Sequence, residues 1–251
     1  MTHTTTKVTE AVVLAAGCGS RLESKSNGVP KPLVEVAGKR MIERTIGSLA
    51  HAGVNRVVVV TGFQADVLAK GLSTVQVPGV TIDTVHNERW EEPNGLSLYC
   101  AKDALENGRF FLTMSDHIFD RSIVADLAAH GVAEGGVCLG VDTDIENIFD
   151  IDDATKVKTD GDNRIVAIDK KLTDYNAIDT GLFLCSHGIF HGLETAFAAG
   201  RHSLSDGMRE LGLKGLFTAM PIGGRYWQDV DDPEMFAQAE KDILAGRLPT
   251  D

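Results

Sequence analysis

Short apolar runs alternate with segments of helical spacing through the first half of this chain. Ala11–Ala16 is uninterruptedly apolar and ends at a glycine, the composition of a buried parallel strand. Met41–Ala52 spaces Met41, Ile42, Ile46, Leu49 and Ala50 as a helix does and is closed by Gly53. Arg56–Thr61, with four consecutive valines, predicts a second buried strand. Gln64–Lys70 then reads as a short helix, Thr81–His86 as a strand, and Ser97–Asn107 as a helix that stops before Gly108. Phe110–Met114 and Ile123–His130 repeat the strand–helix step. This alternation predicts the α/β class, a mainly parallel sheet covered by helices on both faces.

Further along, the rhythm changes. Val137–Val141 reads as a strand, and Thr155–Thr159 and Arg164–Asp169 flank Asp160-Gly161-Asp162-Asn163. That sequence is a hairpin signal in which Asp-Gly is expected to supply the left-handed turn residue. An antiparallel hairpin is thereby added to a mostly parallel, mixed sheet. Thr180–Cys185, Ile189–Ala198 and Leu216–Met220 complete the pattern, and Pro233–Ala245 is a terminal helix. With no internal repeat, linker or low-complexity segment, a single domain over residues 10–251 is expected, preceded by a flexible polar tail over 1–9.

Charge narrows the partners. Asp and Glu total 36 against 24 Lys and Arg, a net charge of −12 at neutral pH. Such a chain is a poor nonspecific binder of nucleic acid or anionic membrane, both of them polyanions. A small anionic substrate stays open, because a few cations at one cleft outweigh diffuse charge that salt screens within about 8 Å. Cys18, Cys100, Cys138 and Cys185 lie far apart without a C-x-x-C pair, which suits a reducing, cytoplasmic setting. The apolar run after the polar N-terminus is too short for a signal core, and no stretch reaches the roughly 20 apolar residues of a membrane span.

The segment that carries most chemistry is Leu14-Ala15-Ala16-Gly17-Cys18-Gly19-Ser20-Arg21-Leu22, leaving the first strand. Gly17 and Gly19 are expected to let the backbone turn sharply and present N–H groups to a phosphate. A dinucleotide fingerprint would need a small residue in place of Leu22 and an acid after the second strand, which instead ends Val60-Thr61-Gly62. A Walker loop would need Gly-Lys-Ser/Thr, which is missing. Cations follow instead: Arg21 at once, then Lys31 in Val29-Pro30-Lys31-Pro32-Leu33, held in an extended setting by its prolines.

Together, Ala15-Ala16-Gly17-x-Gly19-x-Arg21-Leu22 and Pro30-Lys31-Pro32-Leu33 resemble the signature of nucleotidyltransferases that activate phosphorylated sugars, cyclitols and choline. His86-Asn87-Glu88-Arg89 with Asn94-Gly95-Leu96-Ser97-Leu98, then Leu112-Thr113-Met114-Ser115-Asp116-His117, resemble the cytidylyltransferase branch. Ile178-Asp179-Thr180-Gly181 and Trp227-Gln228-Asp229-Val230-Asp231 resemble its C-terminal half. In this order they are most similar to the inositol-1-phosphate cytidylyltransferase family. The resemblance implies a Rossmann-like three-layer αβα nucleotidyltransferase fold and a Mg²⁺-dependent transfer of CMP from CTP to inositol 1-phosphate or a close polyol phosphate. It implies Ala15, Ala16, Gly17, Gly19, Ser20, Arg21, Asn87, Asn94, Gly95 and Ser97 at the nucleotide. Lys31, Lys170 and Asp179 would serve the acceptor, with Lys171 the rival of Lys170. Arg21, Lys31 and Lys170 would act in catalysis. Asp116 with Asp231 would hold the metal, and Asp229 is the alternative to Asp231.

Departures matter too. Glucose-1-phosphate relatives carry a Pro-x-Thr step where this chain has Glu23–Gly28, and Glu-Lys-Pro where it has Asp169-Lys170-Lys171. Both weigh against a plain hexose 1-phosphate. Phosphocholine, a phosphonate or a sugar 1-phosphate remain alternative acceptors, a non-catalytic nucleotide-binding protein is a remote alternative, and a homodimer is left open. Some members of the family continue into a membrane domain that uses the CDP-inositol; with the sequence ending at Asp251, that step is expected on another protein. Two motifs are set aside. His187 and His191 lack the intervening Glu of a zinc helix, and Asp150–Thr155 lacks the glycine of a calcium loop.

Overall fold

The computed structural model describes residues 7–26 and 28–248. In chain order it comprises β1 (Glu10–Ala15), α1 (Glu23–Ser26), β2 (Glu35–Val36), β3 (Lys39–Arg40), α2 (Met41–His51), β4 (Arg56–Thr61), α3 (Ala65–Leu72) and β5 (Thr81–His86). These are followed by α4 (Gly95–Cys100), β6 (Arg109–Met114), β7 (His117–Phe119), α5 (Arg121–His130), β8 (Val137–Asp142), β9 (Lys156–Thr159) and β10 (Ile165–Asp169). The chain closes with β11 (Ala177–Ser186), α6 (Gly188–Ala198), α7 (Leu204–Gly212), β12 (Phe217–Pro221), β13 (Trp227–Asp229) and α8 (Pro233–Leu244).

β1 is the centre. It pairs in parallel with β4 and β6, and β4 with β5, while β11 adds to β6 in the antiparallel sense. The sheet runs β10-β9-β11-β6-β1-β4-β5, with β8 and β12 attached through β11. Alternate residues of β1 feed opposite cores: Val12 and Leu14 join one, Ala11, Val13 and Ala15 the other. Helices α4, α6 and α7 cover the first face; α2, α3 and α5 cover the second. Burial on both sides is why β1, β4 and β6 read as unbroken apolar runs rather than as alternation. The expected mixed, mainly parallel three-layer α/β sheet is what forms.

A third apolar cluster under the glycine loop joins Leu22, Val36, Met41, Ile118, Val230 and Phe236. It packs α8, the β2–β3 hairpin and the small β7–β13 ribbon together, setting the two acidic segments that follow β6 and β13 side by side.

Several expectations shift. The helix foreseen over Ser97–Asn107 ends at Cys100, with only a 3₁₀ turn at Lys102–Ala104 beyond it. The buried carboxylate of Glu10 accepts the Asn107 N–H at 2.6 Å and the Glu106 N–H at 3.2 Å, drawing those residues out of a helix. At the β9–β10 hairpin the left-handed residue is Asn163 (φ 58°), not Gly161, and Asp160 Oδ1 accepts the Asp162 and Arg164 N–H groups. Helix α7 was not foreseen. Gly192 and Gly207 allow α6 and α7 to touch, since a Cβ on Gly207 would lie 2.6 Å from Leu193 Cδ2. Of the expected tail, Met1–Thr6 lie outside the described residues, whereas Val8 is buried in the core and the Thr9 carbonyl accepts the Asn55 N–H at 2.9 Å. Among the described residues no helix is long and apolar enough to cross a membrane.

Candidate active site

Two cavities open side by side at the C-terminal ends of the parallel strands, where α/β sheets place ligands. One, of about 360 Å³, is lined by Ala15, Ala16, Gly17, Gly19, Ser20 and Arg21, with Asn94 and Ser97 opposite. The other, of about 310 Å³, is lined by Lys170, Asp179, Asp153, His117, Trp227 and Asp229 among others. Met114 and Asp231 line both.

Gly19 takes a left-handed conformation (φ 59°), and a Cβ there would lie 2.7 Å from Lys31 Cβ. Only glycine fits both demands. Gly17 has no positive φ and faces open space, so it keeps the cleft floor clear rather than bending the chain. Lys31 is not extended as the prolines suggested. It starts a 3₁₀ turn, Lys31–Leu33, in which the Leu33 N–H reaches the Pro30 carbonyl at 2.9 Å.

That turn drives Lys31 inward until its side chain is 7% exposed, with Nζ 2.7 Å from Asp116 Oδ2 and in contact with Asp231 Oδ1. Arg21 reaches the other oxygen of Asp231 at 2.6 Å and Asp153 at 2.8 Å, and Lys170 reaches Asp153 at 2.8 Å. His117 Nδ1 lies 2.7 Å from Asp116 Oδ1. The groups form one chain of alternating charge: Lys170, Asp153, Arg21, Asp231, Lys31, Asp116, His117. Burial alone would depress Lys31, but the carboxylates of Asp116 and Asp231 raise it above its ordinary value. Burial would likewise raise Asp116, yet Lys31 and His117 hold it far below the usual carboxylate range. His117, which burial would lower, is raised to about 9 by Asp116, so it carries a proton at neutral pH. Burial pushes Asp179 up to about 6 and also raises Asp229.

Sequence-selected residues thus fall into four groups. Ala15, Ala16, Gly17, Gly19, Ser20, Asn94 and Ser97 line the first cavity. Arg21, Lys31, Lys170, Asp116 and Asp231 meet in the ion chain. Asp179 and Asp229 line the second cavity without joining it. Asn87 and Gly95 stand behind the wall: the Asn87 side-chain amide donates to Ser97 Oγ at 2.9 Å, and a Cβ on Gly95 would lie 2.5 Å from the His202 carbonyl. Asn94 lines the first cavity and also accepts the Leu204 N–H at 3.0 Å, tying α7 to that wall. Lys170, rather than Lys171, lines the second cavity. The histidine pair set aside earlier does not converge: His191 lies 3.2 Å from Glu194, and His187 packs edge-on against Phe190.

Asp153, His117, Trp90 and Trp227 were missed as site residues. Asp153 sits inside the rejected calcium-like segment. Trp90 lines the first cavity beside Phe63 (ring centroids 5.4 Å apart). Trp227 lines the second, its Nε1 donating to Asp142 Oδ2 at 2.8 Å. A usable signal was the clustering of both tryptophans with the acidic and amide motifs.

A glycine-loop cavity that carries Arg21 and Lys31 at the C-terminal edge of a three-layer α/β sheet is the arrangement expected of a nucleotidyltransferase-type domain. Residues 11–147 match the family described as the MobA-like NTP transferase domain, and the chain belongs to that family. It is 33% identical over 94% of its length to the bifunctional IPC transferase and DIPP synthase of Aquifex aeolicus, covering 52% of that protein. To the protein of the same description from Thermococcus kodakarensis it is 35% identical over 93% of its length and 50% of the relative's. The chain therefore spans about half the length of these curated relatives. The solved inositol-1-phosphate CTP transferase of T. maritima superimposes with a TM-score of 0.82 at 28% identity, covering 96% of this chain and 98% of that one.

Proposed function

We propose that this protein is a cytoplasmic, Mg²⁺-dependent cytidylyltransferase that transfers CMP from CTP to inositol 1-phosphate or a close polyol phosphate. The observation that carries the reading is the convergence of Arg21, Lys31, Asp116 and Asp231 where a glycine-loop cavity meets a second, acid-lined one. A phosphate oxygen of the acceptor attacks the α phosphorus, the bond from that phosphorus to the β-bridging oxygen breaks, and pyrophosphate leaves with its electron pair. Such transfer requires positioning and charge neutralisation rather than a covalent enzyme intermediate. Arg21 neutralises charge on the departing pyrophosphate, Lys31 bridges the nucleotide and acceptor phosphates, and Lys170 holds the acceptor phosphate. Asp179 and Asp229 accept hydrogen bonds from ring hydroxyls. Trp90 and Ser97, the latter held by Asn87, flank the base and ribose.

The donor set suits Mg²⁺. Asp116 and Asp231 both direct an oxygen at one point, now taken by the Lys31 ammonium, a cation in the place another would use. Among the described residues there is no cluster of three or more acidic, histidine or cysteine ligands, so a metal here would draw its remaining ligands from phosphates and water, as Mg²⁺ commonly does. When bound, the ion would screen the triphosphate's charge.

Pyrophosphate release from CTP with a panel of phosphates tests the proposal. Turnover with inositol 1-phosphate far above phosphocholine, 2-aminoethylphosphonate and glucose 1-phosphate is expected. Turnover confined to one of the other acceptors would reassign the substrate, and CTP binding without turnover on any acceptor would overturn the reaction.

A further inference from the structure

Asp153 is the link of the ion chain that joins the two halves of the cleft. Its Oδ2 lies 2.8 Å from Arg21, on the glycine-loop side, and its Oδ1 lies 2.8 Å from Lys170, on the acceptor side. A carboxylate with one oxygen on each of two cations imitates a phosphate held between them, because both anions offer charged acceptors at hydrogen-bonding distance. Lys170 is therefore already paired with a carboxylate of this chain. An incoming phosphate monoester gains there only the difference between its own attraction and that of Asp153. The residue lies on an irregular segment between the turn Ile145–Asn147 and β9, with its side chain one-third exposed, so it can swing aside without opening the core.

We propose that Asp153 is an internal stand-in for the acceptor phosphate, and that nucleotide binding at Arg21 releases Lys170 from it. The inference rests on the reading of this cleft as a nucleotidyl-transfer centre. A triphosphate takes over the Arg21 guanidinium and repels the neighbouring carboxylate, so Asp153 loses one partner and faces a like charge. Its hold on Lys170 weakens, and Lys170 turns to the phosphate monoester. Asp153 is thus a positioning residue that couples the two half-sites and keeps stray small anions off Lys170 until a nucleotide arrives.

Calorimetric titration of the full chain with inositol 1-phosphate, and with inorganic phosphate as the simplest probe, tests this with and without α,β-methylene-CTP. In the wild type the analogue is expected to strengthen binding of both probes by about tenfold or more, a coupling of ordinary size. Asp153→Asn is expected to bind both tightly without the analogue and to lose most of the dependence, and Asp153→Glu to keep it. Asp152→Asn, the same charge change on an exposed neighbour outside both ion pairs, is expected to behave as wild type. Wild-type binding indifferent to the analogue, weaker or unchanged binding in Asp153→Asn, or an equal gain in Asp152→Asn would each overturn the role. Absence of pyrophosphate release with every acceptor would instead count against the transferase reading, and the inorganic phosphate titration would still decide the role of Asp153.

Discussion

The Lys31 ammonium sits 2.7 Å from Asp116 Oδ2 although the two residues are 85 positions apart in sequence. The 3₁₀ turn Lys31–Leu33, entered from Pro30, aims the lysine, and the end of β6 aims the acid. Each is the other's counter-charge in a partly dry setting, so removing the lysine takes away the one cation that Asp116 and Asp231 share, leaving His117 on the first and Arg21 on the second. Lys31→Met is expected to lower kcat by roughly 100-fold or more, the scale of losing a preorganised electrostatic group. Steady-state kinetics with CTP checks it. A kcat within about threefold of wild type would remove Lys31 from the chemistry.

Asp229 and Asp231 are two residues apart, yet only Asp231 touches Lys31 and Arg21. Asp231→Asn is therefore expected to raise the Mg²⁺ concentration for half-maximal activity by about tenfold or more. Asp229→Asn is expected to act mainly on the acceptor KM, because Asp229 lines only the second cavity. Mg²⁺ titrations of both variants separate the roles. The reverse pattern would make Asp229 the ligand.

Legibility in the sequence followed the range of the forces involved. Arg56–Thr61 declared itself because burial on both faces demands an apolar run. Gly19, Lys31 and Asp116 could be picked out because their motifs are local. Asp153 could not, since its meaning comes from Arg21, 132 residues away, and an aspartate in an acidic stretch carries no mark of that contact. The place of Asn87 is hidden too, because in a sequence an amide in a loop looks the same whether it faces the cleft or, as here, holds Ser97 from behind. Helix α7 was hidden by Gly207, which looks like a helix breaker until the close approach of α6 explains it.

Gly19 and Gly17 should separate stability from binding. Gly19→Ala must hold a left-handed φ and push against Lys31 Cβ. A cost of roughly 1–2 kcal/mol, or about 3–6 °C in Tm, is expected together with a lower kcat as Lys31 shifts. Gly17→Ala meets no protein atom within 4 Å, so its Tm should stay near wild type while the KM for CTP rises. Thermal melts beside CTP saturation curves test both. Equal Tm losses in the two variants would contradict the geometry.

Asp179 offers a pH test. Burial raises its carboxyl from the ordinary 3.8 to about 6, and the Gly181 N–H, 2.7 Å from Oδ1, offsets only part of that. An acid whose folded pKa lies above its unfolded value favours the folded state most when both forms are protonated, below about pH 4. That contribution is lost as pH rises through 6 and stays absent above it. Asp179→Asn keeps an oxygen for the Gly181 N–H and removes the charge. It should therefore raise stability at pH 8, by at most about 3 kcal/mol, with the gain vanishing below pH 4. With the proposed role of Asp179 at the acceptor's hydroxyls, the same variant gives up a charged hydrogen-bond acceptor, so its acceptor KM should rise at pH 8 even as its Tm does. Urea melts at pH 4 and 8 read the first effect and kinetics at pH 8 the second; a stability gain equal at both pH values would show that burial does not raise the Asp179 carboxyl.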